Sequence, residues 1–149
     1  MSESDLIKLY SNRILALAAE IPHQERLEAP DATVRKRAPL CGSTVTVDVA
    51  LEDGRIARFG QEVRACALGQ ASASVVGAAV LGRTRDEIHT ARNQLRAMLK
   101  DEGPVPGAPF DGLEVLLPAS EYKNRHASIL LTLDALSEAM DKAAESDCA

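Results

Sequence analysis

The sequence predicts an α+β fold: a three-stranded antiparallel sheet with helices packed on one face. Three observations predict it. The stretch STVTVDVAL (43–51) alternates apolar and polar residues, the mark of a half-buried strand. Asp53-Gly54 follows at once, and this pair takes the left-handed backbone angles of a tight hairpin. After residue 66 the pattern changes to spacings of three and four, so the helices gather behind the strands.

The elements follow in order. Residues 5–21 carry Leu6, Leu9, Tyr10, Ile14, Leu17 and Ile21 as one apolar stripe, which predicts a helix ended by Pro22. PHQERLEAP reads as a connecting loop. ATVRKRA (32–38) predicts a short edge strand with solvated charges. In the middle strand Val45, Val47, Val49 and Leu51 face one way, and Thr44, Thr46 and Asp48 the other. The return strand, 55–63, sets Ala57, Phe59 and Val63 on one face, while Ile56 falls out of phase and predicts a bulge.

Residues 66–82 predict a helix of Ala, Ser and Gly that approaches its neighbours closely, although Gly69 and Gly77 each cost about 1 kcal/mol of helix propensity. Residues 84–102 predict a helix opened by a Thr84/Glu87 capping box, with Ile88, Ala91, Leu95, Met98 and Leu99 inward. Residues 103–112 read as a proline- and glycine-rich loop. The last helix is expected from Tyr122 to Ala144, with residues 1–4 and 145–149 as frayed tails of a single domain spanning 1–149.

Composition narrows function. With net charge −5, 3% aromatics and no Trp, nothing favours a nucleic-acid partner. No run reaches the roughly 18 apolar residues of a membrane span, and the acidic start does not read as a signal peptide. Three sparse cysteines suit a reducing cytoplasm better than a disulfide framework.

The chemistry-bearing residues cluster by spacing. Twelve positions separate Cys41 from Asp53, and thirteen separate Asp53 from Cys66, so a hairpin folded there brings both thiols to one end of the sheet. Cys66 also opens a helix, where unpaired N–H groups favour a thiolate, with Arg64 nearby. His126, flanked by Lys123 and Arg125, lies in the first turn or so of the last helix and is the third candidate. Two thiolates and an imidazole form a familiar transition-metal set with a position left open. Taken singly, Cys41 and Cys66 also read as small packing residues and His126 as a capping residue. His23 and His89 read as solvent-facing, and Cys148 as a tail thiol.

Together these residues resemble the IscU/SufU/NifU-N iron–sulfur cluster scaffold family over about residues 5–140, with a SufE/NifU-like fold. The stretch APLCGSTVTVDVALEDGRIARFGQEVRACALGQASASVV resembles its central pattern of Cys-Gly-Asp, hairpin, second cysteine and Ala-Ser-Ala-Ser run. DLIKLYSNRIL looks like its opening helix, and GRTRDEI like its later helix start. The resemblance implies a non-enzymatic scaffold that takes sulfur from a cysteine desulfurase, holds a transient [2Fe–2S] cluster or an iron or zinc precursor, and passes it to recipient Fe–S apoproteins. The implied ligands are Cys41, Cys66 and His126, supported by Ser43, Lys123 and Arg125.

The chain departs from that pattern. Ser43 stands for the family's aspartate, and Val63-Arg64-Ala65 for its Gly-x-Gly. The third cysteine is replaced by His126 in one alignment of KNRHAS, and by Ala127 in the other. The segment read by a dedicated Hsp70 chaperone is not present. Two other functions stay open: a zinc-binding sulfur acceptor for a desulfurase, and a non-metal regulatory module of the assembly machinery. A cysteine hydrolase lacks an evident oxyanion element or orienting carboxylate.

Overall fold

A computed structural model describes residues 11–39 and 42–148, the last four of these as backbone only. The strands β1 (Ala32–Arg37), β2 (Thr44–Glu52) and β3 (Arg55–Arg64) pair antiparallel in that order. The helices are α1 (Asn12–Ala19), α2 (Ala67–Ala79), α3 (Arg85–Lys100) and α4 (His126–Cys148). α4 lies on β1 and β2, α2 packs beside it, and α3 backs α4. The expected α+β architecture, with helices on one face, is what forms.

The hairpin turns at Asp53 and Gly54, with φ of 54° and 78°, the left-handed pair that the sequence signals. The register slips between Ala50 and Leu51, so that Leu51 pairs with Ile56 and Ala50 with Arg58. This is the irregularity expected from Ile56. It returns Ile56 to the core at 1% exposure and turns Ala57 outward, opposite to the face assigned to Ala57 by simple alternation. The helices' apolar stripes then close on Val34, Val45, Val47, Val49 and Phe59 to make one core.

Three readings need correction. First, the first helix, expected over 5–21, ends at Ala19 with Glu20 as its C-cap; it is described from Asn12, with the Ser11 hydroxyl accepting from Ile14 N at 3.3 Å, and the stretch before residue 11 lies outside the described residues. Second, the loop expected over 103–112 gives way to a 3-10 helix, Asp111–Glu121, a second short one covers Lys123–Arg125, and the last helix starts at His126 rather than Tyr122. Leu113, Leu116 and Ala119 are the buried residues of the longer 3-10 helix and continue from its buried N-cap Phe110 at a spacing of three, which matches three residues per turn. Third, His89 is not simply solvent-facing: its Nε2 lies 2.8 Å from Asp141, which Arg85 also bonds at 2.7 Å. Burial pushes the Asp141 carboxyl up, but these two partners hold it below the ordinary value.

The loop PHQERLEAP is a strap over the outer face of the sheet. Pro22 and His23 run along the β3 edge, where their carbonyls accept from Gln61 Nε2 (3.0 Å) and Gln61 N (2.8 Å). The strap then passes so close over Gly60 that any side chain there would strike the Glu25 backbone. It is pinned by Asp48, which accepts from Arg26 Nε (2.6 Å), Leu27 N (3.0 Å) and Thr33 Oγ1 (2.5 Å). Asp48 faces outward as alternation predicts, yet is fully buried under this strap. Its burial raises the carboxyl's affinity for a proton, but the Arg26, Thr33 and Leu27 bonds outweigh that and hold it below the carboxylate range.

Candidate functional site

Thr44 pairs with Arg64 as the last rung of β2 and β3. Gly42-Ser43 and Ala65-Cys66 therefore leave the sheet at the same end, as the hairpin spacing predicts. Cys41 lies outside the described residues. The connection that carries it is closed by Ala38 N to Ser43 O at 2.8 Å and Gly42 N to Ala38 O at 3.0 Å, with Gly42 at φ 72°. Such a turn suits Gly and strains other residues.

Cys66 is the N-cap of α2, a free and partly exposed thiol. Its neighbour is Ser128 on the first turn of α4: Sγ and Oγ are 3.4 Å apart. Ser128 Oγ in turn lies 3.2 Å from Ser43 Oγ. Ser43 and Ser128 are both buried. Three elements thus meet here: the start of β2, the start of α2 and the start of α4.

The small residues of α2 make this approach possible. A Cβ on Gly69 would stand 2.5 Å from Ser128 Oγ and 2.8 Å from Ala65 Cβ, closer than real atoms come. One turn on, Ser72 Oγ donates to Ile129 O at 2.7 Å. Gly77 is pressed by Gln61 Nε2 and Pro22 in the same way. The propensity that Gly69 and Gly77 give up is exchanged for contact between helix and sheet end.

The hydrogen bonds of His126 run to the connection before α4, while the thiol's neighbour is Ser128. Two residues on a helix differ by about 200°, so the turn that aims Ser128 at Cys66 aims His126 away. Its ring is buried, with Nε2 at 3.2 Å from Ala119 O and 3.0 Å from Ser120 O. Both partners are carbonyls, so Nε2 carries the proton and donates, leaving only Nδ1 with a lone pair. His126 fastens the 3-10 helix to α4. The sequence placed it correctly in the first turn but held no information on helical phase. Among the described residues, no three of His, Cys, Asp and Glu come together as a metal cluster.

Ala127, the other alignment's candidate for the third-cysteine position, has a different outlook. With Leu131, Asp134 and Glu138 it lines a cleft against Ala38 and Pro39, next to the connection that carries Cys41. Lys123 is exposed and Arg125 partly buried; neither is bonded to Ser43, Cys66 or Ser128. Ser128 is the site residue that sequence reasoning missed. The signal for it was the pairing of a glycine-bearing helix start with a second helix start, which only tertiary contact reveals.

The site is a thiol-bearing junction at one end of a small antiparallel sheet, in an α+β domain with its helices on one face. Comparison with known proteins gives the family. The family model for the NifU-like N-terminal domain matches residues 9–113. A NifU-like protein (N-terminal) from Brucella abortus has a solved structure that superposes with a TM-score of 0.92 at 42% identity, covering 95% of this chain and 98% of that one. The iron–sulfur cluster assembly scaffold protein IscU of Streptococcus pyogenes serotype M1 is 22% identical over 144 residues, 97% of this chain and 90% of its own length. A SufU scaffold from Fervidobacterium islandicum AW-1 shares the fold, with a TM-score of 0.80 at 20% identity over 90% of this chain and 98% of that one. The chain belongs to the NifU-like N-terminal domain family of iron–sulfur cluster assembly scaffolds, which are not enzymes.

Proposed function

We propose that this chain carries a [2Fe–2S] cluster, or its iron or zinc precursor, as transient cargo at the end of the sheet. The carrying observation is Cys66: a partly exposed thiol at a helix start, backed by the buried Ser128 hydroxyl at 3.4 Å. Thiolate is the donor that iron, zinc and clusters prefer. Cys41 enters on the hairpin spacing. Ser43 and Ser128 offer neutral hydroxyls in place of a carboxylate, so the donor set around Cys66 is weak and carries little charge. A weak set suits cargo that must leave again.

Sulfur would come from a cysteine desulfurase and the cluster would pass to recipient Fe–S apoproteins. The free Cys66 thiol fits a reducing compartment, the cytoplasm. His126 contributes by fastening the start of α4 to the Ala119 and Ser120 carbonyls.

Anaerobic reconstitution with iron and sulfide, followed by visible absorption and metal analysis, tests this. Wild type should gain cluster absorption and Cys66→Ser should lose it. Wild type without bound iron, zinc or cluster would sink the proposal and leave a regulatory module. A desulfurase-derived persulfide on Cys66 with zinc but no cluster would favour the sulfur-acceptor function instead.

A further inference from the structure

The outer face of the sheet carries a second feature that the cargo site does not use. The strap crosses that face at Asp48 and Gly60. Between the strap and the Cys66 end an open groove of about 420 Å³ remains. Arg26, Arg35 and Arg64 frame it, the threonines Thr33, Thr44 and Thr46 line it, and Glu62 is its exposed acid.

The three guanidiniums differ in how far they are committed: Arg26 is held by two bonds to Asp48, at 2.6 and 3.2 Å. Arg26 leans on buried Asp48 but keeps 49% of its side chain exposed. Arg64 is 78% exposed and touches Glu62 at 3.3 Å, a surface pair of little strength. Arg35 makes no ion pair among the described residues. A chain of net charge −5 thus gathers three arginines against the exposed Glu62 and the buried Asp48, on the sheet face that no helix among the described residues covers. Such a patch steers and orients an oppositely charged partner. Guanidinium forks match carboxylates two bonds at a time, and threonine hydroxyls add donors between them. No aromatic ring lines the groove, and Glu62 projects into it, which disfavours a nucleic-acid strand.

We infer that this groove docks an acidic, Asp- and Glu-rich segment of a partner protein. The inference rests on the scaffold function in one respect: Thr44 and Arg64 are the last rung before Ser43 and Cys66, so a partner seated here stands beside the thiol. The groove selects partners by charge, and the junction next to it exchanges cargo with them.

The test is a titration of the isotope-labelled full chain, read by backbone amide NMR shifts, with an acetylated peptide of alternating Glu and Asp. A Gln/Asn peptide, inorganic phosphate and an oligothymidylate serve as comparators. Saturable shifts at Arg35, Thr46, Glu62 and Arg64 are expected from the acidic peptide alone, weakened at least about tenfold by molar salt. Arg35→Glu with Arg64→Glu should abolish them, while Arg13→Glu with Arg96→Glu, an equal charge change elsewhere, should not. Shifts spread evenly over the surface, an equal response to the control pair, or stronger binding of the oligonucleotide or phosphate would overturn the inference. Repeating the titration in Cys66→Ser separates it from the cargo proposal. Groove shifts that persist there support docking whatever the reconstitution shows; their absence in both chains overturns docking alone.

Discussion

Ser128 Oγ lies 3.4 Å from Cys66 Sγ across 62 residues of sequence, and the same hydroxyl meets Ser43 at 3.2 Å. One buried serine therefore ties the start of α4 to the thiol and to the start of β2. Ser128→Ala removes that tie without adding bulk. Stability should fall by about 1 kcal/mol, the usual net value of one hydrogen bond. The reconstituted cluster should be lost several-fold faster, measured as the decay of visible absorption under a chelator. Unchanged decay would show that Ser128 only fills space.

Gly69 is the other half of that contact. An added methyl would stand 2.5 Å from Ser128 Oγ and 2.8 Å from Ala65 Cβ. Helix propensity alone would have Gly69→Ala stabilise by up to about 1 kcal/mol. Overpacking at a closed junction costs about 1–3 kcal/mol, so the net sign should be destabilising. Denaturant unfolding decides it, with Gly82→Ala unsuitable as a comparison because its φ of 85° strains any side chain.

Asp48 should set part of the acid limit of the fold. Its carboxyl is held below the ordinary value by Arg26, Thr33 and Leu27, despite burial. A depressed folded value stabilises the protein above the unfolded value, near pH 4, and that contribution is lost as pH falls through the folded value. Asp48→Asn should cost about 2–4 kcal/mol at neutral pH, by loosening the strap and leaving Arg26 without its charge partner. The gap between variant and wild type should close as unfolding is measured at successively lower pH. A gap independent of pH would mean that shape, not charge, holds the strap.

The hairpin explains why so much of this fold is readable from sequence. Its alternation, its Asp-Gly turn and even its bulge at Ile56 are local patterns, and all appear in place. The strap is different. Nothing in PHQERLEAP announces that it will bury Asp48, because its partners lie some 20 residues away on other strands. The 3-10 helix was visible only to a search at period three, through Phe110, Leu113, Leu116 and Ala119. At the site, sequence placed Cys66 and His126 at helix starts, but phase decides what a helix start faces. Ser128, not His126, faces the thiol.

The same phase argument makes a prediction for the third corner. Ala127 lines the cleft with Ala38 and Pro39, beside the connection that carries Cys41, whereas the His126 ring is turned to the Ala119 and Ser120 carbonyls. Ala127→Cys should therefore supply a thiol where the chain has none. A small, partly buried alanine leaves the substitution well tolerated, within about 1 kcal/mol. Cluster retention under a chelator should lengthen at least about tenfold, since one added thiolate ligand contributes well over 1.4 kcal/mol to a soft metal site. His126→Gln should leave metal content near wild type while lowering stability by about 1–2 kcal/mol, through the lost ring contacts at the carbonyls. Metal analysis on the two variants side by side is the check. Loss of metal in His126→Gln together with no gain in Ala127→Cys would place the imidazole, rather than position 127, at the missing corner.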